Sequence, residues 1–151
     1  MNLKVLHVVA SVNPQTGGPA RTVPELAHAL GKAGVESVLA TLDYEALGPQ
    51  PAPDAYSLVS LPAGVLTRAL RGWSPAFQRT LARLACEGVA LVHNHGLWMF
   101  PNLYARQAAV RAKVPLIISP RGMLEGWALS RSAGRKALAR EKPILVWKVG
   151  N

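Results

Sequence analysis

Short apolar runs of strand type alternate along this chain with longer runs of helical periodicity. The first apolar run, residues 3–10, is rich in Val and Leu and ends at Ser11 and Pro14, which is typical of a strand buried on both faces. Strands of this kind belong to parallel sheets, whose crossovers are usually helices. The alternation therefore predicts an α/β fold with a Rossmann-like, doubly wound parallel sheet.

Periodicity and turn residues place five strands and three helices. Gly48 to Pro53 contains three prolines and is predicted to be a surface loop. In open parallel sheets, ligands bind beyond the carboxyl ends of the strands, so residues 11–21, 94–100 and 119–124 are the candidate site loops. The predicted strands cover residues 3–10, 36–42, 56–61, 89–93 and 115–119, and the predicted helices cover 21–33, 75–87 and 101–112.

The turn between the first strand and the first helix contains Gly17 and Gly18, followed by Pro19. Glycines allow the backbone to approach a ligand closely, and a helix N-terminus offers free N–H donors to an anion. A phosphate-bearing substrate is one interpretation of this turn, and an ordinary connection between strand and helix is the other. The turn lacks both the G-x-G-x-x-G spacing of dinucleotide-binding folds and the lysine of a P-loop.

Two histidines, His93 and His95, follow one another with a single residue between them. In an extended segment their side chains share a face. The sequence places no third ligand beside them, which disfavours a metal site. We expect His95 to be a neutral hydrogen-bonding group or a general base, and the alternative for both is a histidine packed at the end of a strand.

The loop after the fifth predicted strand contains Arg121 and Gly122 behind Pro120. The guanidinium of Arg121 offers a fork of donors that suits a phosphate, and Gly122 allows a close backbone approach. The alternative is an ion pair between Arg121 and Glu125 or another acidic residue.

The 151 residues carry a formal net charge of +9, which indicates an anionic partner. The excess is largest in the C-terminal segment, where residues 130–142 predict a cationic helix. This helix could rest on anionic lipid, and the alternatives are a basic face in solvent and a face that covers another domain. Aromatic residues are not interleaved with the basic ones, which disfavours nucleic acid as the partner.

The single Cys86 predicts a buried thiol and a reducing compartment. Neither a signal peptide nor a membrane span is indicated by the sequence.

Four motifs follow one another along the chain. They are Lys4-Val5-Leu6-His7-Val8-Val9, Thr16-Gly17-Gly18-Pro19-Ala20-Arg21, Val92-His93-Asn94-His95-Gly96-Leu97-Trp98 and Ser119-Pro120-Arg121-Gly122-Met123-Leu124-Glu125. In this order and at this spacing they resemble the N-terminal domain of a retaining family 4 glycosyltransferase of GT-B fold, over about residues 3–140. The resemblance implies sugar transfer from a nucleotide-diphosphate sugar to a glycan or lipid-linked acceptor, without metal or cofactor. It implies a catalytic role for His95 and substrate contacts from Gly17, Gly18, Arg21, His93, Arg121 and Gly122.

The resemblance also implies a second, donor-binding domain with an acidic E-x7-E motif, which this sequence does not contain. We expect a cytoplasmic glycosyltransferase domain over residues 1–142, an atypical tail over 143–151, and little or no activity without a donor-binding domain. A truncated product and one half of a split enzyme are both consistent with this pattern. The alternative function is a non-catalytic module that binds an anionic glycan, a lipid surface or a protein through residues 121–148, with residues 131–148 as a peripheral membrane contact.

Overall fold

The computed structural model describes residues 3–125, which form one parallel sheet of five strands with helices on both faces. The strand order is β3-β2-β1-β4-β5, so β1 lies at the centre. This arrangement confirms the predicted α/β, Rossmann-like fold. The strands are β1 (Lys4–Ser11), β2 (Glu36–Asp43), β3 (Ser57–Pro62), β4 (Leu91–His95) and β5 (Leu116–Ser119).

Helices cover the two faces of this sheet unequally. The larger core lies under α3 and α4, where Phe77 and Leu81 pack against sheet residues such as Leu6. A smaller core of Val9, Val12, Val23 and Leu39 lies under α1 on the opposite face. The helices are α1 (Gly18–Lys32), α2 (Val65–Ala69), α3 (Pro75–Ala85) and α4 (Phe100–Ala112), and short 3-10 turns occupy Pro14–Thr16 and Glu45–Leu47.

The local sequence explains why α3 begins and ends where it does. The Ser74 hydroxyl accepts a hydrogen bond from the Phe77 amide, and Pro75 occupies the first turn, where its missing N–H is not needed. Phe77, Leu81 and Leu84 recur at helical spacing and are buried. The predicted helix over 75–87 is confirmed, but it ends at Ala85.

Cys86 lies just beyond α3 and is exposed. The prediction of a buried thiol was therefore wrong. The residue continues the apolar run of the helix in sequence, but as the C-terminal cap of α3 it no longer follows the face that packs on the sheet.

Two further elements, β4 and α1, have boundaries that differ from the predictions by more than one residue, and β4 begins at Leu91 rather than Val89. Strand β4 runs to His95 rather than stopping at His93, because β1 pairs with it in parallel as far as Val9 with His95. Helix α1 begins at Gly18, one turn earlier than predicted, and α2 was not predicted at all.

Within residues 3–125, no helix is long and apolar enough to cross a membrane. The predicted cationic helix over 130–142 and the tail over 143–151 lie outside the described residues.

Candidate active site

The loop after β1 is held by Asn13, which is completely buried. Its side-chain oxygen accepts from the Ser11 hydroxyl at 2.8 Å and from the Tyr44 amide at 2.9 Å. Its side-chain nitrogen donates to the Asp43 carboxylate at 2.7 Å and to the Gly48 carbonyl at 2.8 Å. Asn13 therefore ties the loop after β1 to the loop after β2 and fixes the approach to the glycine pair.

Gly17 and Gly18 form the start of α1. Gly17 has φ +104° and ψ −161°, a conformation that residues with a side chain rarely adopt, and no side chain caps the helix at this position. A Cβ added at either glycine would meet no atom within 4 Å among the described residues. The pair thus faces open space, and the first N–H groups of α1 have no capping side chain.

The histidines predicted from sequence are joined by a third, His7 of β1. His93 and His95 share a face as predicted, with ring centroids 4.0 Å apart. His7 pairs with His93 across the sheet, and its ring centroid lies 5.4 Å from that of His93 and 5.6 Å from that of His95. Nδ1 of His7 and Nε2 of His95 are 3.3 Å apart. Since 88 residues separate His7 from His95, no local motif could have indicated the cluster.

Hydrogen bonds define the proton positions in this histidine cluster. Nε and Nη2 of Arg121 lie 3.2 and 2.9 Å from Nδ1 of His95, and because guanidinium can only donate, Nδ1 is the acceptor. Neutral His95 therefore carries its proton on Nε2 and donates it to Nδ1 of His7. That places the His7 proton on Nε2, a buried atom with no hydrogen-bond partner among residues 3–125. Nε2 of His93 is 2.8 Å from the Ser119 hydroxyl.

All three imidazoles are held neutral. Burial, helped by the positive charge of Arg121, lowers the pKa of His93 to about 4. Burial lowers the pKa of His7 to about 4, and the nearby His93 and Arg121 act in the same direction. The pKa of His95 falls to about 2, again chiefly through burial. A group with such a pKa is a hydrogen-bonding partner at neutral pH rather than an efficient proton acceptor.

Nitrogen atoms of His7, His93 and His95 lie within 4.8 Å of one another, a spacing that a metal ion could bridge. The hydrogen bonds argue against this use. The lone pair of neutral His95 is already directed at Arg121, so the nitrogen that faces His7 carries a proton and cannot ligate. Binding through Nδ1 would instead place a cation beside a guanidinium. The absence of a metal remains a prediction.

Arg121 lies in a tight turn whose closing hydrogen bond joins the Met123 amide to the Pro120 carbonyl at 3.0 Å. Arg121 and Gly122 both have positive φ, 54° and 77°, which is the geometry of a type I′ turn. Besides His95, Arg121 reaches the Thr22 hydroxyl of α1 at 3.5 Å. Among the described residues it forms no ion pair with Glu125 or any other acid, and burial lowers its pKa.

The segment after β4 is anchored by Asn102, which the sequence analysis did not single out. Its side-chain nitrogen donates to the Asn94 side chain at 2.9 Å and to the His95 carbonyl at 3.2 Å, while its oxygen accepts from the Met99 amide at 3.0 Å. Gly96 has φ +105°, and a Cβ there would lie 3.2 Å from the Met123 methyl carbon. Asn102 thus connects α4 to the segment that carries His95.

These loops surround a cleft of about 290 Å³ at the carboxyl ends of β1 and β4. Its walls include the side of the α1 turn, the end of β1, the loop after β2 and the start of α4. Residues lining it include Ser11, Thr16, Tyr44, His95, Met99 and Asn102. Tyr44 is buried, which raises its pKa, and the charge of Arg68 on α2 acts in the opposite direction.

The fold brings most of the predicted site residues to one edge of the sheet, but not Arg21. His93 and His95 lie in β4, Arg121 contacts His95, and Gly18 begins the helix that Arg121 reaches through Thr22. Arg21 instead points away into solvent and pairs with Glu25 at 2.9 Å on the next turn of α1. That these residues bind substrate stays a prediction.

A family model described as a glycosyl transferase 4-like domain matches residues 17–147. No significant match was found among curated proteins or among solved structures. The matched region contains α1, the histidines of β4 and the Arg121 turn, and it covers most of the 151 residues. The chain therefore belongs to the glycosyl transferase 4-like domain family.

Proposed function

We propose that this domain is the acceptor-side half of a retaining glycosyltransferase. In this proposal a nucleotide-diphosphate sugar donates its sugar to a glycan or lipid-linked acceptor, and a second domain or chain supplies the main nucleotide contacts. The observation that carries the proposal is the cleft at the carboxyl edge of the sheet, which has an uncapped helix N-terminus on one side and His95 on the other. The family match supports the general activity.

The size and lining of the cleft support a two-domain arrangement. A cleft of about 290 Å³ is at the small end of the range for ligand sites, roughly 300–1,000 Å³. It suits a single sugar ring rather than a complete nucleotide sugar. The open side of Gly17 and Gly18 leaves backbone N–H groups for the diphosphate, which is the chemistry expected at a helix N-terminus.

We assign His95 a hydrogen-bonding role rather than full proton abstraction, because a pKa of about 2 makes it a weak base. Its Nδ1 is the atom that would accept a hydrogen bond from a hydroxyl of the sugar or of the acceptor. That bond would replace the bond from Arg121, whose guanidinium is only partly buried and could turn to the phosphate. The alternative, a non-catalytic module using residues 121–148, rests mostly on residues beyond 125, and no described contact favours it.

The test is backbone NMR on the full chain titrated separately with uridine, guanosine and thymidine diphosphates. In this proposal the domain contacts only the diphosphate, so we expect all three nucleotides at millimolar concentration to shift the amides around Gly17, Gly18 and Gly96. Gly18→Ala should abolish these shifts because its methyl group would occupy the open space beside the turn. Gly64→Ala is the matched control, since its methyl group also meets no described atom within 4 Å and the residue lies at the start of α2.

Shifts confined to other regions, or none with any of the three nucleotides, would contradict the proposal. In a transfer assay with labelled nucleotide sugars, we expect the chain alone to turn over far more slowly than intact two-domain enzymes. Turnover at the usual 1–10³ s⁻¹ would contradict the need for a second domain.

A further inference from the structure

Helix α2 and the turn after it expose an unusual amount of apolar surface. Val65 is 88% exposed, Leu66 57% and Leu70 45%, and Trp73 is also exposed. No residue of α2 is buried. A helix normally buries its apolar side chains against the rest of the protein, so the apolar side of α2 has no cover within residues 3–125.

The start of α4 continues this surface. The Phe100 amide donates to the Arg71 carbonyl at 3.0 Å, and the Ser74 amide donates to the Tyr104 hydroxyl at 3.2 Å. These bonds hold the turn after α2 against the first turns of α4, where Phe100 and Leu103 are exposed. We call the resulting surface the α2 patch, consisting of Val65, Leu66, Leu70, Trp73, Phe100 and Leu103.

The charged residues of α2, of the turn after it and of the first two turns of α4 are all positive. Arg68 and Arg71 lie within it in sequence, Arg106 follows one turn after Leu103, and all three are exposed. Between residues 55 and 124 the chain has eight basic residues and one acidic residue, Glu87. Glu87 lies just beyond the C-terminal end of α3 and is paired with Arg83 in the last turn of that helix. It therefore does not neutralise the arginines of the α2 patch.

The α2 patch borders the candidate cleft. Arg68 is close enough to Tyr44 to influence its pKa, and Tyr44 lines the cleft together with Met99, the residue before Phe100. The patch and the cleft therefore belong to the same carboxyl edge of the sheet. A surface that covered the patch would lie beside the opening of the cleft.

We propose that the α2 patch binds the surface of an anionic phospholipid membrane. Exposed Val and Leu side chains can enter the boundary between headgroups and acyl chains, Trp is favoured at that depth, and arginines attract anionic headgroups. A protein partner would have to match both the apolar side chains and the three exposed arginines, whereas an anionic membrane combines an apolar interior with negatively charged headgroups. If the proposed function holds, this orientation presents the cleft to a lipid-linked acceptor, but vesicle binding itself does not depend on that function.

The test is sedimentation of the full chain with vesicles of phosphatidylglycerol and phosphatidylcholine in equal amounts, compared with phosphatidylcholine alone. We expect binding to the anionic vesicles that weakens with salt. Val65→Ser combined with Leu66→Ser should lower the affinity about tenfold or more, because two exposed apolar side chains lose their membrane contact. Val110→Ser on α4 is the control, since Val110 is 49% exposed, close to the 57% of Leu66, and lies at the other end of the helix from the patch.

Quenching by brominated lipid gives a second readout. We expect Trp73→Phe to remove part of the quenched tryptophan fluorescence while leaving vesicle affinity nearly unchanged, because Phe is also apolar. Because the substituted side chains are exposed, these variants should stay folded, and circular dichroism checks this. The proposal is overturned if the chain ignores anionic vesicles or if the double serine variant binds like the parent. It is also overturned if the patch instead mediates self-association, as shown by sedimentation velocity without vesicles.

Discussion

Arg121 donates to Nδ1 of His95 from two of its nitrogens, at 2.9 and 3.2 Å, and thereby determines which nitrogen of the buried imidazole carries the proton. His95 in turn faces His7 across the sheet. The hydrogen bonds therefore run in one direction, from Arg121 to His95 and from His95 to His7 in β1. This direction can be tested without knowing the substrate.

Replacing Arg121 by Gln should raise the pKa of His95, because both a nearby positive charge and a donor that favours the neutral ring are lost. The measurement is the pH dependence of the imidazole nitrogens by long-range ¹H–¹⁵N NMR, which also reports the tautomer. In the parent chain the proton should lie on Nε2 of His95. Arg106→Gln is the control, and a parent His95 with its proton on Nδ1 would contradict the assignment.

The free energy of unfolding should fall as the pH is lowered from about 6.5 towards 4. In the folded chain the pKa of His7 is lowered from 6.5 to about 4, and that of His95 to about 2, so the unfolded chain binds protons in this window that the folded chain does not. Each buried histidine contributes a slope of up to about 1.4 kcal/mol per pH unit. The neutral histidines therefore contribute their full stability above 6.5, the histidine pKa of the unfolded chain, and this contribution is lost as the pH falls below that value.

Urea unfolding at several pH values measures this slope. His7→Gln should make the dependence on pH shallower, because one of the buried histidines that the folded chain keeps neutral is then removed. Equal slopes for the parent and the His7 variant would show that the cluster is not held neutral.

The two glycines of the α1 turn should respond differently to alanine. Gly17→Ala should cost about 1–3 kcal/mol, because φ +104° with ψ −161° is a region nearly restricted to glycine. Gly18→Ala should be close to neutral for stability, since its φ is not positive and the added methyl group meets no described atom within 4 Å. Chemical denaturation measures both values. A large loss for Gly18→Ala would mean that this glycine is required by packing rather than by a ligand.

Asn13→Ala should destabilise the chain by about 2 kcal/mol or more, because it removes four hydrogen bonds and leaves buried partners unsatisfied. Gln50→Ala is the control. It removes a single partly buried bond to the Leu42 carbonyl at 3.2 Å, so its effect should stay below about 1 kcal/mol. Similar losses for the two variants would show that the Asn13 network contributes little to the site loops.

Local sequence patterns were sufficient for most of the secondary structure. The Val-rich runs of β1 and β2, the serine and proline at the start of α3, and the glycine pair before α1 each carry their own structural preference. Helix α2 escaped prediction because it is short and buries none of its residues, so no periodic buried face marks it. The end of β4 was misplaced because its length depends on pairing with β1 rather than on its own residues.

By itself, the sequence determined the alternating α/β architecture, the edge of the sheet where the candidate cleft lies, and the resemblance that the family match confirms. Only the tertiary structure decided that His7 lies beside His95, that Arg121 bonds to a histidine rather than an acid, and that Asn13 joins two loops. These contacts join residues 26 to 88 positions apart. They depend on which strands become neighbours in the sheet, and that choice follows from packing of the whole chain rather than from any local pattern.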